Sequence, residues 1–136
     1  MQNLRKSIKE KLAGAGLRPT RQRLLIGGWL FSGDDKHFTA EDLHRDMMES
    51  DDTVSLATIY NTLGTFTQAG LLHTVNVESG RTFYDTNTGP HFHFYDETGH
   101  TLTDIRIDEL EMVKMPELPE GRIVDRIDVI IRTKSA

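Results

Sequence analysis

Between Thr53 and Val77 the chain reads TVSLATIYNTLGTFTQAGLLHTVNV, 25 residues without an Asp, Glu, Lys or Arg in a protein that is 27% charged. Leu56, Ile59, Leu63 and Phe66 recur at helical spacing, and Gly70 stands where such a helix stops. The spacing predicts a helix that turns those four side chains inward, with Thr58, Tyr60, Asn61, Thr62 and Thr65 facing outward or sideways. A helix buried on most sides would also lack charge. A helix that approaches DNA has a further reason to, because carboxylates repel phosphate whereas hydroxyl, amide and phenol groups touch base edges and thymine methyls. Directly afterwards Leu72, Thr74 and Asn76 alternate with His73, Val75 and Val77, Glu78-Ser79-Gly80 turns, and Arg81 to Asp85 returns, the pattern of a hairpin. Helices, an uncharged helix and then a two-stranded ribbon form the order of a winged helix-turn-helix, whose fourth helix enters the major groove.

Upstream, Leu4, Ile8 and Leu12 predict an amphipathic helix over residues 2–14, closed by Gly14 and Gly16. A second helix is capped near Thr20 and carries Leu24, Leu25, Trp29 and Leu30, although Gly27 and Gly28 weaken its middle. Thr39 followed by Asp42 is a capping-box start for a third helix with Ala40, Leu43 and Met47 on one face. Downstream, Asn87-Thr88-Gly89-Pro90 marks a domain junction, and strands are expected from His91 to Tyr95 and from Thr101 to Ile107. Residues 114–121 hold two of the four prolines, which excludes a long helix there. Arg122 to Thr133 reads as a β-branched final strand. The expected fold is α+β, a winged helix-turn-helix over residues 1–86 followed by a small α/β dimerisation and metal-sensing domain over 87–136. So small a second lobe leaves sheet edges and apolar surface that a second copy would cover, so a homodimer is expected.

Composition narrows the class. With 136 residues, 37% of them apolar, the chain is the size of one domain or two small lobes. No apolar run approaches the roughly 20 residues of a membrane span, and the opening MQNLRKSIKEKL lacks a secretory apolar core, so a cytoplasmic protein is expected. The absence of Cys excludes disulfides, thiolate metal sites and cysteine nucleophiles, leaving His and carboxylate to hold any metal. The net charge is −5, yet residues 1–23 hold seven Lys/Arg against Glu10 alone, while residues 81–136 hold seven basic and eleven acidic residues. A basic arm on an acidic body suits a protein that touches a polyanion with one end.

His91 and His93 form an HxH pair, and strand geometry places both imidazoles on one face. Asp85, Asp104 and His37 are further candidate ligands. Imidazole and carboxylate without thiolate suit Mn(II), Fe(II) or Zn(II). Two exposed histidines on an edge strand would give the same pattern without a metal. His91, His93 and Glu97 also satisfy HxHxxxE, the ligand pattern of cupin metalloenzymes. A cupin needs a double sheet of many strands, however, and the first 70 residues here read as helical. With no acid/base pair or nucleophile in view, the chain is not expected to be an enzyme.

Four stretches, Ala15-Gly-Leu-Arg-Pro-Thr-Arg-Gln-Arg23, His37-Phe-Thr-Ala-Glu-Asp-Leu43, Ser55-Leu-Ala-Thr-Ile-Tyr-Asn-Thr-Leu63 and Ala69-Gly-Leu-Leu72, together resemble the ferric uptake regulator superfamily. Asp96-Glu-Thr-Gly-His100 in place of a CxxC, with MPELPEG at 115–121, resembles its iron response regulator (Irr) branch in alphaproteobacteria. The resemblance implies a dimeric bacterial transcription factor, responsive to metal or haem, that controls iron and haem genes through AT-rich, near-palindromic operators. It implies a regulatory metal held by His37, Asp85, His91, His93 and Asp104, fixing the angle between the DNA-binding and dimerisation lobes. It also implies base contact by Tyr60, a minor-groove position for Arg18, and phosphate contacts by Arg21, Arg23, Ser55 and Thr58 on double-stranded DNA. A family zinc site built from four cysteines is absent. The branch's His triplet has Phe92 in its middle, which leaves His91, His93 and His100 as the ring nitrogens for haem or for a haem-delivering partner.

Overall fold

Gln2–Gly14 forms α1 and buries Ile8 and Leu12, whereas Leu4, the third member of the predicted stripe, remains 41% exposed. In the computed structural model, which describes residues 2–78, 80–111 and 114–136, the chain divides into two units, Met1–Thr88 and Gly89–Ala136.

Three further helices build the first unit. α2 (Arg21–Leu30) starts on Thr20, whose hydroxyl accepts the Arg23 N–H at 3.3 Å. Two glycines do not break it, and one has a packing reason: a Cβ on Gly27 would sit 2.8 Å from Ile8 Cγ2 of α1. α3 (Ala40–Glu49) opens on the predicted capping box, with the Asp42 N–H donating to the Thr39 hydroxyl at 3.1 Å and the Thr39 N–H to the Asp42 carboxylate at 3.3 Å. Burial pushes the Asp42 carboxyl up, but hydrogen bonds from Thr39 and Arg45 outweigh it and hold it below its ordinary value. α4 (Leu56–Gln68) starts at Ser55, whose hydroxyl accepts the Thr58 N–H at 3.1 Å. Ile59, Leu63 and Phe66 are buried completely, as predicted. Thr62, expected to face outward or sideways, is buried. Its position explains this: three residues after Ile59 and four before Phe66, it belongs to the same helical stripe. Ile59, Leu63 and Phe66 form one core with Ile26, Leu30, Leu43, Met47 and Leu72.

The unit closes with an antiparallel sheet in the order β1-β3-β2, made of β1 (His37–Phe38), β2 (His73–Glu78) and β3 (Arg81–Asp85). The hairpin is the predicted ribbon, although Ser79 of its expected turn lies outside the described residues. β1 was not expected, because two residues are too few to show a strand period. They pair only because the chain ahead of α3 runs beside β3.

In the second unit β4 (His91–Asp96) pairs antiparallel with β5 (Thr101–Arg106) and parallel with β6 (Ile130–Thr133), in the order β5-β4-β6. Ile107, expected in the strand, begins a 3-10 turn over Ile107–Glu109. The final strand is also shorter than predicted, because only Ile130–Thr133 finds a partner, on His93–Asp96 of β4. Residues 114–129 contain no helix or strand, and there Arg126 pairs with Asp128 at 3.0 Å. β propensity without a free neighbouring strand does not make a sheet. No helix among the described residues is long and apolar enough to cross a membrane.

Candidate functional site

The alternation of β4 places His91, His93 and Tyr95 on one face, and antiparallel register sets Asp104 of β5 directly opposite His93. One ligand atom from each of His91, His93 and Asp104 lies within 4.8 Å of the others. The Asp104 carboxylate stands 3.6 Å from His91 Nε2 and 3.5 Å from His93 Nε2, and the two imidazole rings are 4.5 Å apart. His93 is buried and His91 half-buried.

The tautomer of His91 follows from its backbone contact. Its Nδ1 lies 2.8 Å from the Gly89 carbonyl oxygen, which can only accept, so Nδ1 carries the hydrogen. In the neutral ring Nε2 then presents a lone pair toward the Asp104 carboxylate. A ring lone pair and a carboxylate turned toward the same point are donors that one metal ion can bridge. The donor set fits a metal ion. Atoms bonded at about 2.1 Å to one ion stand roughly 3.0–3.5 Å apart at right or tetrahedral angles, close to the separations here. Fixing one ring nitrogen by a backbone carbonyl is also how metal-ligating histidines are commonly oriented.

In the first unit, β1 and β3 bring His37 and Asp85 together as cross-strand partners. β2 sets His73 opposite the same aspartate, so the row across this sheet reads His37, Asp85, His73. Asp85 is only 1% exposed, and one carboxylate oxygen accepts the Asn87 N–H at 2.9 Å. His100 takes no part in the grouping of His91, His93 and Asp104. It is the last residue of the β4–β5 turn, at φ 56°, with Nδ1 3.1 Å from the buried Tyr95 hydroxyl. Glu97, third member of the HxHxxxE pattern, has its carboxylate 3.5 Å from Arg132. Among the described residues the strands form two sheets of three, fewer than the many strands of a cupin's double sheet.

The predicted DNA contacts do not share one surface. Arg23 and Thr58 line one groove with Thr20, Asn61 and Thr65. The Arg23 guanidinium donates to the Arg18 carbonyl at 3.1 Å, which fixes its base beside the α2 N-terminus. Ser55 and Thr58 bond each other, hydroxyl to hydroxyl at 2.9 Å. Arg21 lines a different groove, with Arg5, Asp51 and Asp52. Arg18 is exposed and borders neither.

Tyr60 is 44% exposed on α4, and its hydroxyl donates to the Glu41 carboxylate of α3. That hydrogen bond, with burial and the carboxylate's charge behind it, pushes the phenol up to about 12. Burial first, and Glu41 second, also push the Tyr84 phenol up.

Glu41 and His73 escaped the sequence reading. Glu41 looked like an ordinary acid in the first turn of a helix, where the dipole favours one. His73 looked like one more alternating residue of a ribbon. The β2–β3 hairpin register would have placed His73 beside Asp85, but nothing local would have paired Glu41 with Tyr60.

Comparison with known sequences gives a match between residues 14–124 and the profile of the Ferric uptake regulator family. The Ferric uptake regulation protein of Pseudomonas fluorescens is 32% identical over 105 residues, covering 76% of this chain and 85% of that protein. Among solved structures, the ferric uptake regulator from Pseudomonas aeruginosa with manganese superposes with a TM-score of 0.71 at 23% identity, over 94% of this chain and 97% of that one. A zinc-bound manganese uptake regulator gives a TM-score of 0.66 at 25% identity, over 95% and 98% of the two chains.

Proposed function

Because this chain belongs to the ferric uptake regulator family, a family of transcription factors rather than enzymes, we propose that it is a metal-gated, dimeric DNA-binding regulator. The observation that carries the reading is the grouping of His91, His93 and Asp104, whose ring nitrogens and carboxylate lie close enough together to hold one cation. His37 and Asp85 complete the proposed ligand set, so that donors come from both units of the chain. A divalent ion bound there supplies the charge that holds these donors to one point. The donors prefer one angle between the units over others, and their differential affinity shifts the population toward it. Mn(II) and Fe(II) fit the donors best, with Zn(II) a competitor.

In this reading residues 1–86 bind DNA and residues 87–136 dimerise and sense metal in the bacterial cytoplasm. Tyr60 contacts bases, Arg18 enters the minor groove, and Arg21, Arg23, Ser55 and Thr58 hold phosphates. A two-fold dimer reads its site twice, so the operator is an AT-rich inverted repeat. The Asp96 to His100 stretch and the MPELPEG segment support placement in the Irr branch, which makes iron and haem genes the targets and haem a second effector.

The test is DNA binding by the purified protein to an AT-rich inverted repeat, in chelator, with Mn(II) and with haem. We expect Mn(II) to tighten binding and His91→Ala to remove that response. Equal affinity in chelator and in metal refutes the metal gate. If haem alone then abolishes binding, the branch-specific reading replaces it.

A further inference from the structure

The Tyr60 hydroxyl is already engaged before any DNA arrives. Tyr60 lies on α4 and Glu41 in the first turn of α3, 19 residues apart, and the phenol O–H donates to the Glu41 carboxylate. Both residues are solvent-exposed, so this contact sits on the outer face of the helix pair rather than in its core. A phenol that donates to a carboxylate has no hydrogen left for a phosphate or a base acceptor. What it still offers is the ring, an apolar surface suited to the C5-methyl group of thymine. The bond also holds the ring in one orientation, and the raised phenol pKa agrees with a hydroxyl kept protonated by its partner.

We propose that Glu41 is a specificity-determining positioning residue, which takes up the Tyr60 hydroxyl and so leaves the aromatic ring to read thymine methyl groups. This rests on the reading of Tyr60 as a base-contacting residue. Without Glu41, the ring rotates among its rotamers and its hydroxyl is free to seek phosphate. Affinity for DNA in general then holds or rises, because a carboxylate has left the surface, while discrimination at thymine falls.

The test uses the full-length protein with Mn(II) and an inverted-repeat duplex selected by this protein from a random pool. A second duplex is identical except that uracil replaces thymine, which removes only the methyl groups. Wild type should bind the thymine duplex roughly fourfold tighter for each methyl group that the ring buries. Glu41→Gln keeps an acceptor for the hydroxyl and should keep this ratio. Glu41→Ala should bring the ratio close to one. A wild-type ratio in Glu41→Ala overturns the proposal. Tyr60→Ala separates the two readings: if it weakens binding to the thymine duplex while Glu41→Ala retains the ratio, only the positioning role fails. If Tyr60→Ala binds like wild type, the base-contacting reading fails, and the role of Glu41 with it.

Discussion

Gly27 and Gly28 are adjacent in one helix, yet they answer to different neighbours. A Cβ on Gly27 would press against Ile8 Cγ2 at 2.8 Å, and Ile8 is a stiff, fully buried, β-branched side chain. Gly27→Ala should therefore destabilise the first unit by about 1–3 kcal/mol, the usual cost of overpacking. Nothing lies within 4 Å of a Cβ on Gly28. Gly28→Ala should stabilise by up to ~1 kcal/mol through helix propensity alone. Urea unfolding of the two variants checks the pair, and equal effects would contradict the packing assigned to Gly27. The sequence flagged both glycines as weak points of a helix, but only the approach of α1 distinguishes them. Tyr60 carries a second prediction at this scale. The near-UV titration difference between wild type and Tyr60→Phe should show a phenol that ionises at about 12. In a Glu41→Ala background that phenol should return toward the ordinary tyrosine value, because the accepting carboxylate is gone.

Strand alternation is what assembles the proposed metal ligands, so it is testable as an element property. Thr103 and Asp104 face opposite sides of β5, and only Asp104 lies across from His93. Exchanging the two, as Thr103→Asp with Asp104→Thr, keeps composition and charge but moves the carboxylate to the wrong face. Mn(II) affinity should drop at least roughly tenfold, as far as for Asp104→Ala, by calorimetric titration. Unchanged affinity would mean that Asp104 is not a ligand. At the other end of the chain, Ser55→Ala removes the α4 cap and should cost about 1 kcal/mol of stability. The HxH pair and the apolar repeat of α4 were legible beforehand, since both are local patterns, whereas the Ser55 cap was not read from the sequence. The length of β6 was not, because a strand ends where its neighbour does, and β4 accepts it only along four residues.

At the scale of the whole molecule, a metal that binds only the folded chain must raise its stability by mass action. At a free Mn(II) concentration of 100 times Kd the gain is about 2.7 kcal/mol, and a thermal melt should show it for wild type and lose it for His91→Ala. Charge asymmetry makes a parallel forecast. Although the net charge is −5, residues 1–23 hold seven of the sixteen Lys and Arg against a single acid, so DNA affinity should still fall steeply with salt. Arg23→Ala should lower that salt slope by about one charge while weakening all sequences alike. By itself the sequence determined what is periodic or local: the caps at Thr20 and Thr39, the apolar stripe of α4, the hairpin, the HxH face and the lack of cysteine ligands. The close approach at Gly27, the pairing of β1, the end of β6 and the hold of Glu41 on Tyr60 were decided only by the tertiary structure. Each of those depends on which segment comes to lie beside which. That choice is made by packing over many residues of intervening chain, and the periodicity of no single segment contains it.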